Sequence, residues 1–140
     1  MYPDSYQKQA DTPLSTIVRQ SLDEMAKYLA ADITNGFKAQ GLSIFEGIAV
    51  ASIVLKETDN PSDQPIVAQV LLTRLSRKIA LQADATAYYA SAIAGRPRSL
   101  SIDSLYNTYL YPGLPPGPIS NVTKEALRAV ANPAKSSFVY

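Results

Sequence analysis

The stretch Ser43-Ile44-Phe45-Glu46-Gly47-Ile48-Ala49-Val50-Ala51-Ser52-Ile53-Val54-Leu55-Lys56-Glu57 decides the fold. Ser43 with Glu46 three residues on is a capping box, in which each side chain satisfies the other's backbone N–H at a helix start. Ile44, Phe45, Ile48, Ala49, Ala51, Ile53, Val54 and Leu55 leave almost no polar face, so this helix is expected to be central and buried. It runs out at Glu57-Thr58-Asp59-Asn60-Pro61. Its most apolar stretch, Ile48–Leu55, is eight residues interrupted only by Ser52, far short of the about 20 that cross a bilayer.

Working outward, Thr12-Pro13 opens an earlier helix, with Thr12 as N-cap and Pro13 in the first turn. Val18, Leu22, Met25, Leu29, Ile33 and Phe37 step by three or four along one stripe, which predicts a single helix to about Gln40, ended by Gly41. Arg19, Asp23, Lys27 and Asp32 read as its solvated face. A third helix is expected over Ser62–Lys78, with Ile66, Val67, Val70, Leu71 and Leu75 inward and Arg74, Arg77 and Lys78 near its end. Leu81-Gln82-Ala83-Asp84 reads as a short extended piece, Asp84 capping a helix from Ala85 to about Ala94. Gly95–Ser104 and Pro112–Pro118 read as irregular. A last helix is expected over Thr123–Ala131, and Ser136–Tyr140 reads as a strand. The class is mainly α with minor β (α+β), in one domain over 1–140.

Composition narrows the chemistry. The 140 residues include no Cys, no His and no Trp, with 10 Pro, 6 Gly and 9 Tyr. Absence of His and Cys removes Ser-His-Asp and Cys-His arrangements, thiol nucleophiles, zinc and iron–sulfur sites and disulfides. Carboxylates, Lys, Tyr and hydroxyls remain; no metal or cofactor is expected. A net charge of +1 gives no reason to expect nucleic acid or an anionic membrane as partner.

Glu57 is the carboxylate of most interest. It follows a buried helix, so its neighbours are apolar, and it sits at the helix's negative end. Both effects raise a carboxyl pKa, as a general acid working near neutrality requires. The plain alternative is an exposed Glu in a turn. Glu46 and Glu57 share a face but lie roughly 16 Å apart along the axis, too far for the paired carboxylates of a glycosidase. A single-acid mechanism is easier to support. Tyr106-Asn107-Thr108-Tyr109 before the Pro/Gly run would suit sugar recognition, with flat rings to stack and amides to bond hydroxyls. It is equally a Pro-rich surface connection, or a polyproline ligand for another module.

These segments, in order, resemble the endolytic murein transglycosylases of the YceG-like type. Ala51-Ser52-Ile53-Val54-Leu55-Lys56-Glu57-Thr58 is similar to their Ala-Ser-Ile-Val-Glu-Lys-Glu-Thr. Val67-Ala68-Gln69-Val70 with Arg74-Leu75, and Leu81-Gln82-Ala83-Asp84-Ala85-Thr86, resemble two further motifs. Tyr106-Asn107-Thr108-Tyr109 and Gly113-Leu114-Pro115-Pro116-Gly117-Pro118-Ile119 match the most specific string. Tyr2-Pro3-Asp4-Ser5-Tyr6 resembles the entry motif, and Asn132-Pro133-Ala134 the last helix end.

The resemblance implies a lysozyme-like helical catalytic domain that cleaves the β-1,4 bond between N-acetylmuramic acid and N-acetylglucosamine without water, leaving 1,6-anhydro ends. It implies Glu57 as the one acid/base and, by motif position, Gln82, Asp84, Tyr106 and Asn107 as substrate-binding. Peptidoglycan glycan strands and the peptidoglycan synthesis machinery are the implied partners, at the outer face of the cytoplasmic membrane. Leu55 stands where the motif has its first Glu, and Ala85 where it has Pro. The family's membrane helix and LysM-like subdomain have no counterpart in this sequence, and its strand pairing continues beyond Tyr140, so a catalytic domain without its anchor is expected. The alternative is a catalytically impaired peptidoglycan-binding or scaffold module of the same fold.

Overall fold

The computed structural model describes residues 9–139; the Tyr2–Tyr6 motif therefore lies outside the described residues. Six helices follow in order: α1 Leu14–Tyr28, α2 Ala31–Ala39, α3 Ile44–Glu57, α4 Gln64–Ser76, α5 Asp84–Ile93 and α6 Lys124–Ala131. α3 is the central helix its sequence predicts. Val50, Ile53 and Val54 are fully buried, and α3 packs against α2, α4, α5 and α6. The capping box is formed: Ser43 N donates to Glu46 Oε2 at 2.8 Å and Glu46 N to Ser43 Oγ at 3.2 Å, an arrangement typically worth about 1 kcal/mol.

Two expectations are corrected. The single helix to Gln40 is two helices, because the backbone leaves helical geometry at Leu29 (ψ 39°) and Ala30 (ψ 168°). No Gly or Pro marks the break. Tertiary packing makes it: Ile33 and Phe37 of α2 are driven into the core, while Leu14 and Leu22 of α1 stay exposed. α1 accordingly starts after Pro13, with no side-chain cap from Thr12.

The second correction concerns class. The fold is all helical, with no strand among the described residues. In place of the expected C-terminal strand, residues 136–139 lie beside α4 without strand pairing, and their acceptors are taken by side chains. Gln69 Nε2 donates to Phe138 O at 2.9 Å and Arg74 Nε to Val139 O at 2.7 Å. Gln69 Oε1 accepts from Ser136 Oγ, and Ala134 N donates to Pro65 O at 2.9 Å. A side-chain rack replaces the ladder. α4 is shorter than expected at both ends and α6 begins after Thr123, whose hydroxyl accepts from Ala126 N.

α2 and α6 cross so closely that a Cβ built on Gly36 would lie 2.5 Å from Ala131 Cβ and 2.7 Å from Ala131 O. A methyl there gains helix propensity but collides with backbone that cannot swing aside. Gly36→Ala should therefore destabilise the protein by about 2 kcal/mol, read as a lower denaturant midpoint at unchanged slope. An unchanged midpoint would show that the α2–α6 crossing can widen freely.

Candidate active site

Glu57 is the last residue of α3, and Thr58 (φ −151°, ψ 133°) turns the chain away. The carboxyl opens into a cleft of about 400 Å³. One wall is α4, through Ile66, Val67, Val70, Leu71 and Arg74; the other is Leu81–Ala83. Glu57 is exposed by area because the cleft is open, yet the walls strip water from it. Burial pushes its carboxyl above the usual range, and the charge of Asp84 adds to the shift. The apolar surroundings expected from sequence are present; the second cause is Asp84.

The far wall follows from how α4 ends. Lys78 adopts a left-handed φ of 56°, Ile79 N donates to Arg74 O at 2.9 Å and Lys78 N to Leu75 O at 3.1 Å, a Schellman ending made without glycine. The chain is thereby folded back past Arg74. The Arg74 guanidinium gathers it in: Nη1 donates to Ala80 O (3.1 Å), Leu81 O (2.8 Å) and Gln82 Oε1 (3.2 Å). Gln82 is itself left-handed at φ 54°, and its amide oxygen already faces the guanidinium.

Thr108 sews this wall to the Tyr-Asn-Thr-Tyr loop. Its carbonyl accepts from Gln82 N at 3.2 Å, and its hydroxyl accepts from Ala83 N at 3.1 Å and lies 2.8 Å from Thr86 Oγ1. Next along, Tyr109 Oη donates to Asp84 Oδ1 at 2.5 Å. That bond, with burial behind it, raises the Tyr109 phenol above its usual range, and Glu57 acts on the same ring. Glu57, Asp84 and Tyr109 thus share one electrostatic neighbourhood. Ser52 holds the Pro/Gly run against α3, its hydroxyl accepting from Ile119 N at 3.0 Å.

Of the residues singled out from sequence, Glu57, Gln82 and Asp84 are brought together. Tyr106 is half-buried, its ring tilted 55° against Tyr89 at 4.9 Å between centroids, and it packs against the core. Asn107 is fully buried. Its Nδ2 donates to Leu100 O and Ile102 O, and its Oδ1 accepts from Tyr109 N, so no amide group is left for a sugar. Arg74, Thr108 and Tyr109 were not among the expected site residues. Their motifs were visible, but only contacts between segments distant in sequence show what they hold. Among the described residues no three acidic side chains converge as a metal would require.

The YceG-like family model matches residues 1–140 in full. This chain belongs to the YceG-like family. It is 31% identical over 147 residues to the endolytic murein transglycosylase of Bacillus subtilis, covering 100% of this chain and 40% of that protein. The Streptococcus pneumoniae endolytic murein transglycosylase is 30% identical over 148 residues, with 27% of its length covered. A crystal structure of a yceG-like protein from Listeria monocytogenes superposes with a TM-score of 0.85 at 32% identity, over 99% of this chain and 47% of that one. This YceG-like chain therefore spans less than half the length of those relatives.

Proposed function

We propose that this chain is a lytic transglycosylase acting on peptidoglycan glycan strands, with Glu57 as its single acid/base. The observation that carries the reading is the Glu57 carboxyl, kept protonated to higher pH by burial and by Asp84 over an open cleft. The names of the relatives supply the substrate class. Protonated Glu57 gives its proton to the oxygen of the β-1,4 bond between N-acetylmuramic acid and N-acetylglucosamine as that bond breaks. The resulting carboxylate then takes the proton of the muramoyl C6 hydroxyl, whose oxygen closes on the anomeric carbon as a 1,6-anhydro ring. No water enters and Glu57 ends protonated as it began. The negative charge of Asp84, held by Tyr109, faces the positive charge that develops on the sugar. This reading puts the chain in the cell envelope, at the outer face of the cytoplasmic membrane; no single described helix is long and apolar enough to cross it.

Mass spectrometry of digested peptidoglycan tests the reaction: anhydro-muramic ends are expected, and free reducing ends alone would overturn the assignment. Leu55, where the family motif has an acid, bears on the alternative of a catalytically impaired binding module. That side chain packs against the core rather than lining the cleft, so the cleft's chemistry does not depend on an acid at that position. A mere binder would sediment with sacculi and release no fragments.

Asp84→Asn probes the electrostatics. Asn keeps an acceptor for Tyr109 but removes the charge that helps raise Glu57. Glu57 should then lose its proton at lower pH, and the alkaline limb of the kcat/KM profile should move towards acid. A limb that stays in place would detach it from Glu57.

A further inference from the structure

A second cleft, also of about 400 Å³, is lined by Lys56, the residue before Glu57. Adjacent residues of α3 part company there: Glu57 lines the first cleft and Lys56 the second, as expected where neighbours on a helix point about 100° apart. The second cleft is walled by Tyr88, Tyr89 and Ala92 of α5, by Arg96 and Arg98 of the following loop, and by Lys56 and Ile119. It holds three cations and no carboxylate. None of the three makes an ion pair among the described residues.

The arginines are mounted on a fixed loop. Gly95 turns the chain at φ 63°, and Arg96 N donates to Ser91 O at 3.0 Å. The buried Ser91 hydroxyl accepts from Ser99 N at 3.1 Å. The Arg98 guanidinium lies 5.3 Å from the centroid of the Tyr88 ring, so an aromatic face holds one cation in place. Asp103 lines an adjoining cleft with both arginines but pairs with neither; positive charge lining a concavity concentrates anions, and guanidinium groups match the two oxygens of a carboxylate or phosphate.

Resting on the function proposed above, we infer that this cleft is an anion-binding arm of the same groove. A glycan lying across Glu57 would place in it a negatively charged substituent: a carboxylate of the peptide borne on the muramoyl sugar, or a phosphodiester attached to the strand. Lys56, Arg96 and Arg98 bind that anion, and they select decorated over bare strands.

The test uses the chain carrying Glu57→Gln, so that binding is read without cleavage, and soluble glycan strands in three states: intact, amidase-stripped of peptide with the freed lactyl carboxylate capped as its methylamide, and stripped of phosphodiesters with hydrogen fluoride. Intact strands should bind about tenfold tighter than strands lacking the recognised anion, equivalent to roughly 1.4 kcal/mol. The treatment that removes the preference identifies the anion. Adding Arg96→Gln and Arg98→Gln together should abolish the preference and leave affinity for the stripped strand unchanged; both residues are exposed. Equal affinity for all three strands, or an equal loss on all three in the double substitution, overturns the anion site and leaves the peptidoglycan reading standing. Failure to bind any strand overturns both.

Discussion

Glu57→Gln should slow release of glycan fragments about 1,000-fold, the middle of the range for losing a positioned general acid, with little change in substrate binding. The amide fills the same space but has no proton to give and cannot become a base, so both halves of the reaction fail together. The stability of the variant separates this from misfolding. Folding raises the Glu57 pKa, so the native state holds that proton more tightly than the unfolded chain does. Stability from this group is present below the unfolded carboxyl pKa and is lost as pH rises through the raised value. Above the raised value the ionised carboxylate therefore costs stability in its cleft. Glutamine removes that cost, so the variant should melt at or above the wild-type temperature at pH 7. Fragment release within a few-fold of wild type would remove Glu57 from the mechanism. A lower melting temperature would make the loss one of folding.

The position of Glu57 at the end of a capped, buried helix was legible because its signal is local. The rest of the site is made by long-range contacts. Sequence marks Gln82-Ala83-Asp84 and Asn107-Thr108-Tyr109 as unusual, but nothing in either says that Thr108 bonds to Gln82 and Ala83 of the first segment and to Thr86 beyond it, and Tyr109 to Asp84. The helix break at Ala30 was invisible for a related reason. The apolar spacing continues through it without a breaker residue, and only the demand to bury Ile33 and Phe37 against the core bends the chain. The final segment shows the reverse failure. Ser136–Val139 forms no strand, and Gln69 and Arg74 take the acceptors a partner strand would have used.

Asn107 is where the motif reading and the structure differ most, and its replacement should have the largest effect on stability. As a substrate contact its amide would face the cleft, and Asn107→Ala would raise KM while leaving the fold intact. The amide instead lies fully buried at the centre of its own loop. It donates to Leu100 O at 2.9 Å and Ile102 O at 2.8 Å, and accepts from Tyr109 N at 3.0 Å. Alanine would orphan two carbonyls and one N–H at once, at about 1 kcal/mol or more each, for a loss of about 3 kcal/mol and a fall in Tm of roughly 10 °C. Asn107→Asp should not rescue it, since a carboxylate keeps the acceptor but supplies neither donor and adds a buried charge. The fault then spreads to catalysis, because Tyr109 loses the bond that seats its backbone and with it the geometry by which it holds Asp84. Below the lowered Tm, kcat should fall while KM for glycan strands changes little. An Asn107→Ala protein that melts like wild type but binds glycan weakly would return Asn107 to the substrate and leave the loop held by Thr108 alone.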